Sequence, residues 1–171
     1  MKTGGMALDG EKPRAKSVTV VSSAKLIAGF IAKFDPKIAK LIRDLRVAAR
    51  KRFPASTELV YDNYNFLVFA FCTTERASDS MVSLAADGHG VTLFFNWGVE
   101  LPDPDKILQG SGKQVRSIHL ESAASLQRLE VEALLQAAVK QAKSPLPASG
   151  RGATIVKLIS AKQRPRRLAA K

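Results

Sequence analysis

The hydrophobic period of this chain changes twice, and those changes restrict its fold more than any other feature. Across residues 24–52 apolar side chains recur at helical spacing: Leu26, Ile27, Phe30, Ile31 and Phe34, then Ile38, Leu41, Ile42, Leu45 and Ala49. Ser22 and Ser23 are candidate N-caps for a first helix. Asp35-Pro36 restarts the chain, with Asp as cap and Pro at the first helical position, where its fixed φ is already suitable. The second helix is predicted over 36–52 and is stopped by Phe53-Pro54.

After Pro54 the pattern becomes strand-like, with runs at 58–61, 66–73, 80–85, 91–96 and 114–120. Asp62-Asn63-Tyr64-Asn65 reads as a turn and Asp87-Gly88-His89-Gly90 as a hairpin. Three consecutive runs joined by short connections favour an antiparallel meander over crossover units. Asp103-Pro104 predicts one helical turn over 103–108. The helical period returns near Ser125, giving a helix over 125–143 whose apolar face is Val131, Leu134, Leu135, Ala138 and Ala142. Ser144-Pro145-Leu146-Pro147 ends it. Residues 155–159 are expected to dock as a strand or a helix, and 162–171 to be mobile. The predicted organisation is a flexible leader over 1–21, with Ser17 to Val21 either an edge segment or a lead into the first helix. An α+β domain over 22–143 and a basic C-terminal extension over 144–171 follow. The expected architecture is a curved antiparallel sheet of about five strands with N-terminal and C-terminal helices packed on it.

Charge is the second constraint. The 171 residues carry 27 Lys and Arg against 15 Asp and Glu, a net charge of +12. Residues 24–57 hold nine bases and two acids, and 144–171 hold seven bases and no acid, whereas the middle of the chain is mildly acidic. At about 100° per residue, Lys40, Arg43, Arg50 and Lys51 fall opposite the apolar face of the second helix. Such asymmetry points to a polyanionic partner, although a basic protein also stays soluble by its charge alone.

Several classes are excluded. The single cysteine, Cys72, cannot staple the fold, and one Cys with two His is too few for a dedicated zinc site. The longest apolar run, 66–72, is far short of the roughly 18 residues that span a bilayer. The first sixteen residues lack the apolar segment of a secretory signal. The expected location is therefore the reducing cytoplasm, with no membrane partner.

The segment from Val91 to Arg116 is the most specific in the chain: Trp97-Gly98, Leu101-Pro102-Asp103-Pro104, Ile107-Leu108, and Gly110-Ser111-Gly112-Lys113 before Arg116. It resembles the signature of the YdhG-like family, a bacterial domain-of-unknown-function group, and Pro54, Glu58, Tyr61 and Ser80 fit the same pattern. The resemblance covers roughly residues 24–142, without the leader or the basic tail. It implies an α+β fold similar to secretion chaperones and the YjbR-like family. Some relatives are labelled frataxin-like iron chaperones, and the resemblance supplies no catalytic residues.

Gly110-Ser111-Gly112-Lys113 is not a P-loop: Gln114 follows the lysine, the first glycine is missing, and the loop enters a strand. The loop is either a tight turn, with Lys113 paired to Asp103 or Asp105, or an anion site built from its N–H groups, Lys113 and Arg116. Trp97 is either a core residue or the wall of a ligand cleft with Tyr61 or Tyr64. Glu100, Asp103 and Asp105, with Glu58 and Asp62, supply oxygens for a hard cation, but capping roles and nearby lysines compete for them. His89, His119 and Cys72 lack catalytic partners at recognisable spacing.

The expected function is a non-catalytic binding module, needing no cofactor, whose partner is nucleic acid or another polyanion. Contacts are expected to phosphates only, from Lys40, Arg43, Arg50, Lys51, Lys162, Arg164, Arg166 and Arg167. The alternatives are a small-molecule or anion binder at Trp97, Gly110, Ser111, Gly112, Lys113 and Arg116, or an iron-chaperone-like protein.

Overall fold

The computed structural model describes residues 21–170. The expectations for 1–20, including most of the leader, lie outside the described residues. Helix α1 spans Ser23–Ala32, and Ser22 caps it by accepting a hydrogen bond from the Lys25 amide. Helix α2 spans Pro36–Arg52 with Pro36 at its first turn, as predicted, but the Asp35 side chain makes no capping bond. Strands β1 Thr57–Asp62, β2 Leu67–Cys72, β3 Ser80–Asp87, β4 Gly90–Phe95 and β5 Arg116–Leu120 follow. Then come α3 Leu129–Lys140 and β6 Thr154–Ile159.

The sheet order is β5-β4-β3-β2-β1-β6. The first five strands form the expected antiparallel meander. The sixth corrects the prediction: β6 runs parallel to β1, so the sheet is mixed and six-stranded. Parallel pairing requires a crossover, and α3 with the segment after it supplies one. Residues 154–159 thus settle the strand-or-helix alternative as an edge strand of the same sheet.

The core lies between the helices and one face of the sheet. Phe34, Ile42, Leu45, Val131 and Leu135 from the helical layer meet Phe69, Phe71, Leu93, Phe95 and Leu120 from the strands. Each such side chain contributes roughly 1.5–3 kcal/mol by leaving water. Alternation puts Leu59, Ala70 and Cys72 on the other face, in a separate small cluster with Tyr61 and Ile155.

Three further predictions are corrected. Residues 103–108 form a turn rather than a helical turn. The Asp103 carboxylate accepts from the amides of Ile107 and Leu108, and Lys106 adopts a left-handed φ of 52°. An Asp side chain that bonds nearby amides competes with the helix in this way. The helix expected over 125–143 is shorter. A 3-10 turn at Ala123–Gln127, closed by reciprocal bonds between Ser122 and Ser125, precedes it, and extended Arg128 separates the two. Residues 162–170 are not a free tail. Ser160 N donates to Asp62 O and Arg164 N to Tyr64 O. Leu168 packs where a side chain at Gly88 would sit. These contacts hold the segment across the ends of the strands.

Candidate polyanion interface

Helix α2 sets out the first basic surface. Its buried face is Ala39, Ile42, Leu45 and Ala49. Lys40, Arg43 and Lys51 are exposed on the opposite side, with Val47 among them. Lys40 pairs with Asp44 one turn on, an exposed pair of small energetic weight. Arg50 departs from the predicted outward stripe. It lies on the flank of α2 and turns toward the sheet, where its Nη1 donates to Glu58 Oε2 and Thr154 Oγ1, both at 2.6 Å.

The acceptor of that contact organises this side of the molecule. Glu58 and Asp62 lie four residues apart on the core-facing side of β1, and both are completely buried. Arg46 makes a bidentate pair with Glu58 at 2.7 and 2.8 Å, and Thr154 Oγ1 donates at 2.8 Å. Burial pushes the Glu58 carboxyl upward. The hydrogen bond and charge of Arg46, with Thr154 and Arg50, more than offset this and hold it below the ordinary value. Asp62 repeats the design: Lys33 Nζ lies at 2.5 Å and Arg166 Nη2 at 3.0 Å. Its carboxyl is also held low, the burial penalty being outweighed by the hydrogen bonds of Lys33, Gln163 and Arg166 and by the Lys33 charge. Each carboxylate is met by two cations, so each cluster carries a surplus positive charge.

Arg166 is thereby removed from the predicted phosphate-contacting set. Its side chain is 3% exposed, it also donates to Asn63 O at 2.6 Å, and its guanidinium lies 5.8 Å from the Phe34 ring. Lys162, Arg164 and Arg167 remain exposed around it, with Arg164 stacked on Tyr64. The pull of a buried carboxylate 104 residues away is what the sequence did not signal.

The structure adds one cation that sequence reasoning missed. Val47, Arg50, Lys51, Pro54 and Arg151 line an open groove of about 460 Å³ that no carboxylate among the described residues lines. Arg151 reaches it because the next residue crosses β1 closely. Gly152 N donates to Pro54 O at 2.9 Å, and a Cβ on Gly152 would lie 1.7 Å from Ser56 O. The glycine before a β-branched run was the available signal, since it marks a close backbone approach. Four residues of strand, about 13 Å, separate the Glu58 and Asp62 clusters.

The other predicted site residues do not assemble. Gly110, Ser111, Gly112 and Lys113 form an exposed turn with Gly110 at φ 125°. The Nη1 group of Arg116 donates to Gly112 O and Val115 O, so it braces the loop from its carbonyl side. Asp103 binds backbone amides, and Lys113 forms no ion pair among the described residues. Trp97 lines a separate cleft that includes neither this loop nor Tyr61 or Tyr64. His89 and His119 are exposed, and burial pushes the Cys72 thiol up to about 11. Among the described residues no three His, Cys, Asp or Glu side chains gather as a metal-holding group. No described helix is long and apolar enough to cross a membrane.

No protein-family model matches this chain, and none of the curated proteins or solved structures compared with it does.

Proposed function

We propose that this chain is a non-catalytic, YdhG-like module of the cytoplasm that binds the phosphate backbone of nucleic acid without reading its bases. The observation that carries this reading is the groove of Arg50, Lys51 and Arg151, which no described carboxylate lines, on the same helix as exposed Lys40 and Arg43. Glu58 supports it by fixing Arg50 in place while leaving Nε and Nη2 without a bond to any described residue. Lys162, Arg164 and Arg167, around the Asp62 cluster, extend the footprint. The iron-carrier alternative finds less support, because Glu58 and Asp62 are held by cations and Asp103 by amides.

The test is fluorescence anisotropy with several unrelated oligonucleotides across a salt series. Binding should be weak, with Kd about 10⁻⁴ to 10⁻⁶ M near physiological salt, and indifferent to sequence. The log–log salt slope should be about −0.9 per duplex phosphate neutralised. Absence of binding at low salt would overturn the proposal and leave the charge as a solubility device.

A further inference from the structure

The second built feature of the molecule lies on the acidic part of the chain. Three walls meet at a cleft of about 190 Å³ lined by Asp79, Met81, Trp97, Glu100, Gln141 and Lys143. The first wall is the start of β3, the second is the turn after β4, and the third is the C-terminal end of α3. Gln141 Nε2 donates to Trp97 O at 3.2 Å and ties the third wall to the second. The Lys143 ammonium lies 5.3 Å from the centre of the Trp97 ring. Cation–π attraction holds a cation there without neutralising it.

The charges in this cleft are unpaired with one another. Glu100 and Lys143 form no ion pair among the described residues, and Asp79 accepts one bond, from Thr74 Oγ1 to Oδ2. A phosphate or dicarboxylate would face two like charges. A simple amine would leave Lys143 without a counter-ion. A ligand with one carboxylate and one ammonium satisfies all three groups. At about 190 Å³ the cleft is below the roughly 300–1,000 Å³ of pockets that take drug-sized ligands, so it suits a ligand smaller than a nucleotide. Trp97 and Met81 give the apolar surface that such a ligand's side chain needs.

We propose that this cleft binds a free α-amino acid as its zwitterion. Lys143 Nζ takes the carboxylate, Asp79 and Glu100 share the three donors of the ammonium, and Trp97 with Met81 receives an apolar side chain. The site shares no residue with the proposed polyanion interface, so loss of nucleic-acid binding would leave it standing.

Trp97 is the only tryptophan in the chain, so its emission reports directly on the cleft. The probes are L-leucine, L-methionine and L-phenylalanine, with leucinamide, which lacks the carboxylate, and 4-methylpentanoate, which lacks the ammonium. At least one of the three amino acids should give a saturable change in emission. Both analogues of leucine should bind at least about tenfold more weakly than leucine, the loss expected when a charged group is left without its partner. Lys143→Gln and Asp79→Asn should each weaken amino-acid binding by a similar factor, with unchanged circular dichroism. No saturable change up to about 10 mM with any of the three amino acids would overturn the proposal. So would leucinamide or 4-methylpentanoate binding as well as leucine, a result that needs no variant to fold.

Discussion

Asp62 is fully buried between Lys33 and Arg166, so removing a cation leaves a carboxylate with part of its compensation gone. Breaking such a buried pair costs about 3–5 kcal/mol. Arg166 also carries two buried groups, Nε and Nη1, without a partner among the described residues. We therefore expect Arg166→Met to cost about 3 kcal/mol, the lower end of that range, read from the urea midpoint. The two low carboxyl values set a pH dependence. Glu58 and Asp62 hold protons less tightly folded than unfolded, so the unfolded chain takes up more protons as pH falls. Their contribution is fully present above the ordinary values of 4.5 and 3.8, and it is lost as pH falls through the lower folded-state values. Melting temperature should decline below about pH 4.5, and more shallowly in Glu58→Gln, whose neutral side chain cannot take up that proton. At Gly152 the obstruction to a side chain is backbone, 1.7 Å from Ser56 O. Gly152→Ala should detach the start of β6, seen as faster hydrogen exchange at the Glu58 amide, which donates to Ala153 O.

Helix α2 separates folding from binding along its two sides. Lys40 pairs only with exposed Asp44, and Arg43 and Lys51 form no ion pair among the described residues. Reversing all three to Glu should therefore cost no more than about 1 kcal/mol each, chiefly from two acids one turn apart and an acid at the helix C-terminus. The same variant should bind nucleic acid much more weakly and flatten the salt slope by about 0.9 for each duplex phosphate no longer neutralised. Arg50 is left out of that variant because its loss disturbs Glu58. This helix was legible in the sequence because period, Pro36 and Pro54 all agreed. The meander was legible for a similar reason: its strands are consecutive, and all but the last pair are joined by short connections. What remained hidden was non-local. The partner of β6 lies about a hundred residues earlier, and Ile155 to Ile159 alone does not show which edge it joins. The side on which Arg50 and Arg166 lie depends on acids in a distant strand. Glu58 and Asp62, read from the sequence as oxygens for a hard cation, a family-pattern residue and a turn residue, become visible as a pair once β1 places them on one face. Lys106 in its left-handed conformation had no signal, since lysine is not a residue that favours it.

On the scale of the whole molecule, the proposed footprint has two parts, the α2 groove and the basic segment over 162–167, anchored on two buried carboxylates four residues, about 13 Å, apart along β1. Successive phosphates of one duplex strand advance by about 3.4 Å along the axis, so an oligonucleotide that reaches both parts is longer than a dinucleotide. Replacing Lys162, Arg164 and Arg167 with Gln, which keeps Arg166 and its bond to Asp62, should lower affinity for long oligonucleotides. It should leave the affinity of dinucleotides for the α2 groove unchanged. Equal loss for both lengths would mean that the two clusters do not act as separate contacts. The pairing of β6 with β1 also carries a consequence for how the protein is made. Synthesis delivers β1 early and β6 nearly a hundred residues later. At roughly 5–20 residues per second, the ribosome leaves β1 for several seconds as an outer strand with open N–H and C=O groups. During that interval Thr154 and Arg166 do not yet exist to meet Glu58 and Asp62. The nascent meander therefore carries two incompletely paired carboxylates at its open edge. Charge facing inward at such an edge deters other strands from adding to it, guarding the half-made sheet until its own last strand arrives.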